Sequence, residues 1–373
     1  MVRGPLRALL PLLAVLLVGG SACARPAAPP DGAERAVRAA VAAWSARPPA
    51  ALAAVPLEGW TYEVTSVRRD GARADVRAEL RYRLTGYDAA PTGSGRALTL
   101  SQDGSGWHVT GDRPAPGALP QLWDQGPVSV VRGDRALVLG ASGRSRESLE
   151  EVAVVAGRAV PEVSAAWPRP WAGRVVVVVP AGLDAMAALL GRPADSYRGL
   201  AAVTTGLVGV SPAPADRVVV NPQAYEGLSE PGRQVVLTHE STHVATRSAT
   251  TAATPLWLSE GFADWVAYRS TGRTPAEAAP ALRRAVGRGE LPSALPPNEA
   301  FTFGSDAQAM ARAYEGAWLA CRLIADRWGE AALVRLYADA GRRPLPTALR
   351  DALDTDLSAL TRTWQSTLRE ELR

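Results

Sequence analysis

The sequence predicts an α+β fold in two parts: a small strand-rich module, then a larger and mostly helical region around a small mixed sheet. Three observations carry this. TYEVTSVRR, ARADVRAELRYRLTGY, GRALTLSQDG and SGWHVTGD read as strands, with clear polar–apolar alternation in the second and DG and GSG marking turns. Further on, RVVVVVP and DRVVVNP are short apolar runs closed by proline, as buried strands are. Beyond them the period lengthens to that of helices and stays there to the end of the chain. With 373 residues, 47% of them apolar, there is enough material for two modest domains with real cores.

The elements follow in order. MVRGPLR places Arg3 and Arg7 before ALLPLLAVLLV, an apolar run too short to span a bilayer comfortably, and small residues follow in GGSACARP. Residues 1–23 therefore read as a signal peptide. Two processing routes fit. One lipidates Cys23 and starts the mature chain there; the other cleaves after Ala24 in the small-x-small run Ala22-Cys23-Ala24. Either route places the protein outside the cytoplasm, and the first tethers it to a membrane. Residues 24–32 form a Pro/Ala linker, and no later segment reads as transmembrane. The one other cysteine, Cys321, falls in a helical pattern and reads as a small buried apolar residue. Lysine is absent, and the arginines behind the net charge of +4 are spread along the chain, so there is no basic cluster to grip a nucleic acid.

Residues 33–120 open with the helical run AERAVRAAVAAWSA and continue into the four strand-like segments. One helix followed by a meander resembles the cystatin-like or nuclear-transport-factor-like accessory domains of exported bacterial proteins. RPAPGALP is the boundary, and 126–373 is the second domain. There VSVVRGDRALVLG reads as a hairpin and SRESLEEVAVVAGRAVPEVSAAW as a helix opened by Ser145 or Ser148. RVVVVVP is a strand, LDAMAALLG a short helix and DRVVVNP another strand. Helices over GRQVVLTHESTHVATRS, LWLSEGFADWVAYRS, AEAAPALRRAVGRG, AQAMARAYEGAWLACRLIADRWG and EAALVRLYADAG follow, with a final helix from Pro346. Trp257, Trp265, Trp318 and Trp328 read as packing anchors between these helices.

The chemistry concentrates in LTHESTHVAT. The chain holds three histidines, and two of them, His239 and His243, stand four apart with Glu240 directly after the first. By chance this arrangement occurs about once in a thousand such chains. On a helix, residues four apart share a face, so both imidazoles can reach one tetrahedral zinc ion. Glu240 is rotated by about 100° from His239, so it flanks the metal and can take a proton from water. Val235, Val236 and Leu237 are expected to seat this helix on the sheet. A catalytic zinc needs a third protein ligand, and PLWLSEGFADW supplies Glu260 and Asp264, four apart on one face. The remaining histidine, His108, reads as a packed or exposed strand residue.

HESTH followed by WLSEGFADW resembles the gluzincin zinc metallopeptidases, the thermolysin-like and aminopeptidase-like clan, and is nearest to the peptidase MA-like group of exported bacterial proteins. The resemblance implies one zinc ion per chain, with His239, His243 and Glu260 as ligands and Glu240 as general base. It also implies Asp264 as a brace for a zinc histidine, and a peptide or protein substrate. Tyr314 in AYEG matches the tyrosine that stabilises the oxyanion in the aminopeptidase branch, with one residue fewer before the glycine. The glutamate-bearing strand that reads a free amino terminus in that branch is missing; Glu226 and Glu230 are the nearest carboxylates to it. The Pro/Gly-rich segment from Thr271 to Gln308 is expected to shape a cleft. The competing expectation is an exported scaffold or binding lipoprotein that keeps the fold with little turnover.

Overall fold

The computed structural model describes residues 31–206, 216–301 and 306–373. The signal segment, Cys23 and most of the linker lie outside these residues. Helix α1 (Gly32–Trp44) is capped by Asp31 and packs on a four-stranded antiparallel sheet. Its strands β1 (Leu57–Asp70), β2 (Arg73–Leu84), β3 (Thr92–Asp103) and β4 (Gly106–Pro114) pair in sequence order as a meander. The alternation in β2 buries Ala74, Val76, Ala78, Leu80, Tyr82 and Leu84 on one face.

That face serves two partners. Its Ala74–Ala78 end packs against Val37 and Val41 of α1. Its Leu80–Leu84 end enters a core shared with Leu137, Leu139, Val176, Val178 and Val219, which belong to the second sheet. The joint is reinforced by Arg96, which is 2% exposed. Its guanidinium donates to Asp112 on β4 and, through both terminal nitrogens, to Asp124 in the single turn Leu122–Gln125, each at 2.8 Å. Tyr62 donates to the other Asp112 oxygen. A buried cation is tolerated because two carboxylates and their hydrogen bonds replace its water.

The second sheet holds β5 (Val128–Arg132), β6 (Ala136–Ala141), β7 (Val175–Val179), β8 (Ala202–Thr204) and β9 (Val218–Val220), in the order β5-β6-β7-β9-β8. β5 and β6 form the expected hairpin; β6, β7 and β9 run parallel, and β8 closes the edge antiparallel to β9. The five-valine run of β7 is buried on both faces. Val175, Val177 and Val179 face helix α2 (Arg146–Ala166), while Val176 and Val178 face the first module and helix α3 (Leu183–Leu190). Covered on both sides, the strand has no reason to alternate. β8 is three residues long, too short to leave a period in the sequence, so nothing in AAVTTG predicts a strand.

Helices α4 (Pro222–Glu226), α5 (Glu230–Thr246), α6 (Leu256–Tyr268), α7 (Pro275–Ala278), α8 (Pro280–Gly287), α9 (Ala307–Trp328), α10 (Glu330–Ala340), α11 (Leu345–Leu353) and α12 (Leu357–Glu371) complete the fold. Two expected helices are broken. Pro280 pushes Ala279 out of helical geometry and separates α7 from α8. Asp354, at φ 49°, ends α11, so the final segment is two helices rather than one. Trp257, Trp265 and Trp318 are buried in the helical core with Phe262, Tyr337 and Trp364, whereas Trp328 packs at its edge. Helices α6 and α9 approach so closely that a β-carbon on Gly261 would stand 2.3 Å from the Ala317 carbonyl oxygen. Cys321 is buried at the same crossing. No helix among the described residues is long and apolar enough to cross a membrane.

Candidate metal centre

Helix α5 starts from a Ser229 cap with Pro231 in its first turn, then buries Leu237 against the sheet. Of the three residues expected to seat it there, Leu237 alone is fully buried. Val235 and Val236 face a cleft instead, with Val236 also touching the sheet-side core. This rotation carries His239 and His243 into the cleft and tucks Glu240 towards β8. Helix α6 crosses α5 and supplies Glu260 and Asp264; its first turn is capped by Asn298, whose side-chain oxygen accepts from the Leu256 N–H.

Three ligand atoms converge. His239 Nε2 and His243 Nε2 are 3.1 Å apart, and Glu260 Oε2 lies 3.4 Å from the first and 3.5 Å from the second. Zinc bonds of about 2.0–2.1 Å at tetrahedral angles separate ligand atoms by about 3.3–3.4 Å, so the triangle has the size of one face of a zinc tetrahedron. It is the one His/Cys/Asp/Glu cluster of this kind among the described residues. Asp264 Oδ1 stands 2.7 Å from His239 Nδ1. A carboxylate only accepts, so Nδ1 carries the proton and Nε2 is turned towards Glu260.

The electrostatics agree with a cation site. Burial works against a charged His239, but the Asp264 carboxylate, followed by Glu260 and Glu240, raises its pKa well above the ordinary histidine range. Burial likewise opposes ionisation of Glu260, yet His243 and His239 hold it far below the usual carboxylate range. Surroundings that favour positive charge at this point also favour a divalent cation. Tyr314 enters from α9 and places its ring centroid 6.4 Å from that of His239. Burial first, then Glu260, Asp264 and Glu240, push its pKa upward, so it stays a protonated hydroxyl.

These groups line a cleft of about 560 Å³. β8 forms one rim, Val235, Val236 and Leu228 a second, and Phe301, Met310 and Tyr314 a third. Phe301 comes from the segment expected to shape the cleft and meets Tyr314 edge-on at 5.2 Å between centroids. Arg247, one turn past His243, also lines the cleft; it donates to Asp216 and to the Thr205 carbonyl.

Other sequence candidates lie elsewhere. Glu226 pairs with Arg144 and Glu230 with Arg158, and neither lines the cleft, so neither is placed to read a substrate amino terminus. His108 is exposed on the first module beside Asp103 and Ser105. Thr204 escaped the sequence reading. Its hydroxyl lies 2.6 Å from Glu240 Oε2, and nothing in AAVTTG signals that role.

No family model matches this chain, and no curated protein matches it. Among solved structures it is similar to that of native yeast LTA4 hydrolase, with a TM-score of 0.38 and 10% sequence identity. The overlap covers 83% of this chain and 60% of that one. So shallow an overlap carries no function, and the chemistry is read from the residues themselves.

Proposed function

We propose that this protein is a zinc-dependent peptidase of the gluzincin type, acting on peptides or proteins. The observation that carries the proposal is the convergence of His239, His243 and Glu260 at a tetrahedral ligand spacing, with a buried carboxylate on one side and a protonated tyrosine on the other. A zinc ion bound there would polarise a carbonyl and make water acidic enough to lose a proton near neutral pH. Glu240, 9% exposed and rotated off the ligand face, accepts that proton and returns it to the leaving amine. Tyr314 donates its hydroxyl to the oxygen on which charge develops. Asp264 keeps His239 in one tautomer. Peptide is favoured as substrate because β8 is an edge strand beside these groups, and an extended chain can add to such an edge through backbone hydrogen bonds.

The same proposal has the chain exported and held at a membrane by a lipid on Cys23. Its support is Arg3 and Arg7 ahead of the apolar run and the cysteine at its end. The test of the activity is Glu240→Gln on the zinc-loaded protein with a quenched-fluorescent peptide library. The wild type should cleave and a chelator should stop it; the variant should bind zinc equally and lose about a hundredfold or more in kcat. Full activity in the variant removes Glu240 as the general base and ends this mechanism, whereas a wild type that binds zinc and cleaves nothing removes the hydrolase assignment in favour of a binding or scaffold role.

A further inference from the structure

Glu240 carries three rotatable side-chain bonds and points off the face of α5 that holds the histidines, so the ligand set does not determine where its carboxylate goes. Contact across the cleft rim does. Thr204, the last residue of β8, places its hydroxyl 2.6 Å from Glu240 Oε2 and 3.0 Å from the Glu240 backbone oxygen. A hydroxyl has one proton, and the shorter contact to a charged oxygen takes it. Oε2 is thereby tied to the strand, leaving the other carboxylate oxygen to meet a proton.

The strand end that bears Thr204 is itself held. The neighbouring Thr205 accepts through its hydroxyl from the Arg217 N–H at 3.0 Å, and its carbonyl accepts from Arg247 at 3.1 Å. Arg217 forms a two-point ion pair with Asp88 of the first module, both bonds at 2.7 Å. The rim is therefore anchored to β9, to α5 and to the first module at once. A β-branched threonine on such a support has few alternative rotamers.

We infer that Thr204 is a positioning residue for Glu240: its hydroxyl selects the carboxylate rotamer from which proton transfer occurs. This rests on the hydrolase reading above. Thr204→Val keeps the shape and strand preference and removes the donor, whereas Thr204→Ser keeps the donor. On the zinc-loaded full chain, Thr204→Val should lower kcat by about ten- to a hundredfold, the worth of a hydrogen bond to a charged group. KM and zinc content should stay near wild type, and Thr204→Ser should recover most of the rate. A wild-type kcat in Thr204→Val, or a loss confined to KM, overturns the inference and leaves the hydrolase reading standing. A second readout needs neither turnover nor metal. In crystal structures of the zinc-free proteins, the Glu240 carboxylate should hold one rotamer in the wild type and in Thr204→Ser and leave it in Thr204→Val. An unchanged Glu240 rotamer in Thr204→Val overturns the inference whatever the activity of the wild type. Should Thr204→Val fail to fold, the Ser variant decides, because loss of rate and of the rotamer with the hydroxyl retained contradicts the proposed role.

Discussion

Replacing Asp264 by alanine isolates one link of the proposed metal centre, because Asp264 touches His239 at Nδ1 and leaves the Nε2 that faces His243 and Glu260 in place. Its carboxylate holds His239 Nδ1 at 2.7 Å. Losing such a partner typically weakens metal binding by about 10- to 100-fold, or about 1.4–2.7 kcal/mol. That loss can be read as stability. With zinc at about 100 times the wild-type Kd, binding adds about 2.7 kcal/mol to the folded state. At the same concentration the variant gains about 1.4 kcal/mol if binding is tenfold weaker and about 0.4 if it is a hundredfold weaker. At about 2 °C per kcal/mol, zinc raises the wild-type Tm by about 5 °C and that of Asp264→Ala by about 1–3 °C. Differential scanning fluorimetry with and without zinc measures this, and subtracting the zinc-free Tm of each protein removes any effect of the substitution on the bare fold. An equal zinc shift in both proteins would refute the idea that Asp264 orients His239. No shift in the wild type would refute the metal site.

Tyr314→Phe should lower kcat by about 100- to 1000-fold with little change in KM, as steady-state kinetics on a cleaved peptide will show. Gly261→Ala forces a methyl group against the Ala317 carbonyl at the α6–α9 crossing and should destabilise the fold by about 1–3 kcal/mol in urea titrations. Burial raises the pKa of Asp216, against the opposing pull of Arg247, Arg217 and His243, from 3.8 to about 6. The folded protein thus holds this proton more tightly than the unfolded chain does. The resulting stabilisation is complete below about pH 4 and is lost as pH rises through about 6, by about 3 kcal/mol in total. Asp216→Asn should therefore gain stability relative to wild type between pH 4 and pH 8, and chemical unfolding at the two pH values checks the sign.

Much of the fold could be read from the chain because local rules and tertiary packing agree. The alternation of β2 is visible because one face is wet and the other dry. The uninterrupted valines of β7 are equally visible because both faces are dry. Sequence and structure part where an element is too short for a period, as with β8, or where one residue overrides a pattern. Pro280 and Asp354 did so by breaking expected helices. Val235 and Val236 show another limit. Apolar character says that a side chain avoids water in the free chain, not whether it meets the sheet or lines a cleft.

The sequence alone puts His239 and His243 on one face of α5, because helical geometry does this for a spacing of four without help from the rest of the fold. It also singled out the carboxylates of α6 by their spacing. That Glu260 meets the histidines and Asp264 braces His239 was left to the tertiary structure, since it depends on how α6 packs across α5. Tertiary structure alone brought Thr204 to Glu240 across 36 residues of chain. Contacts between distant segments follow from the packing of whole elements, and no local pattern encodes them.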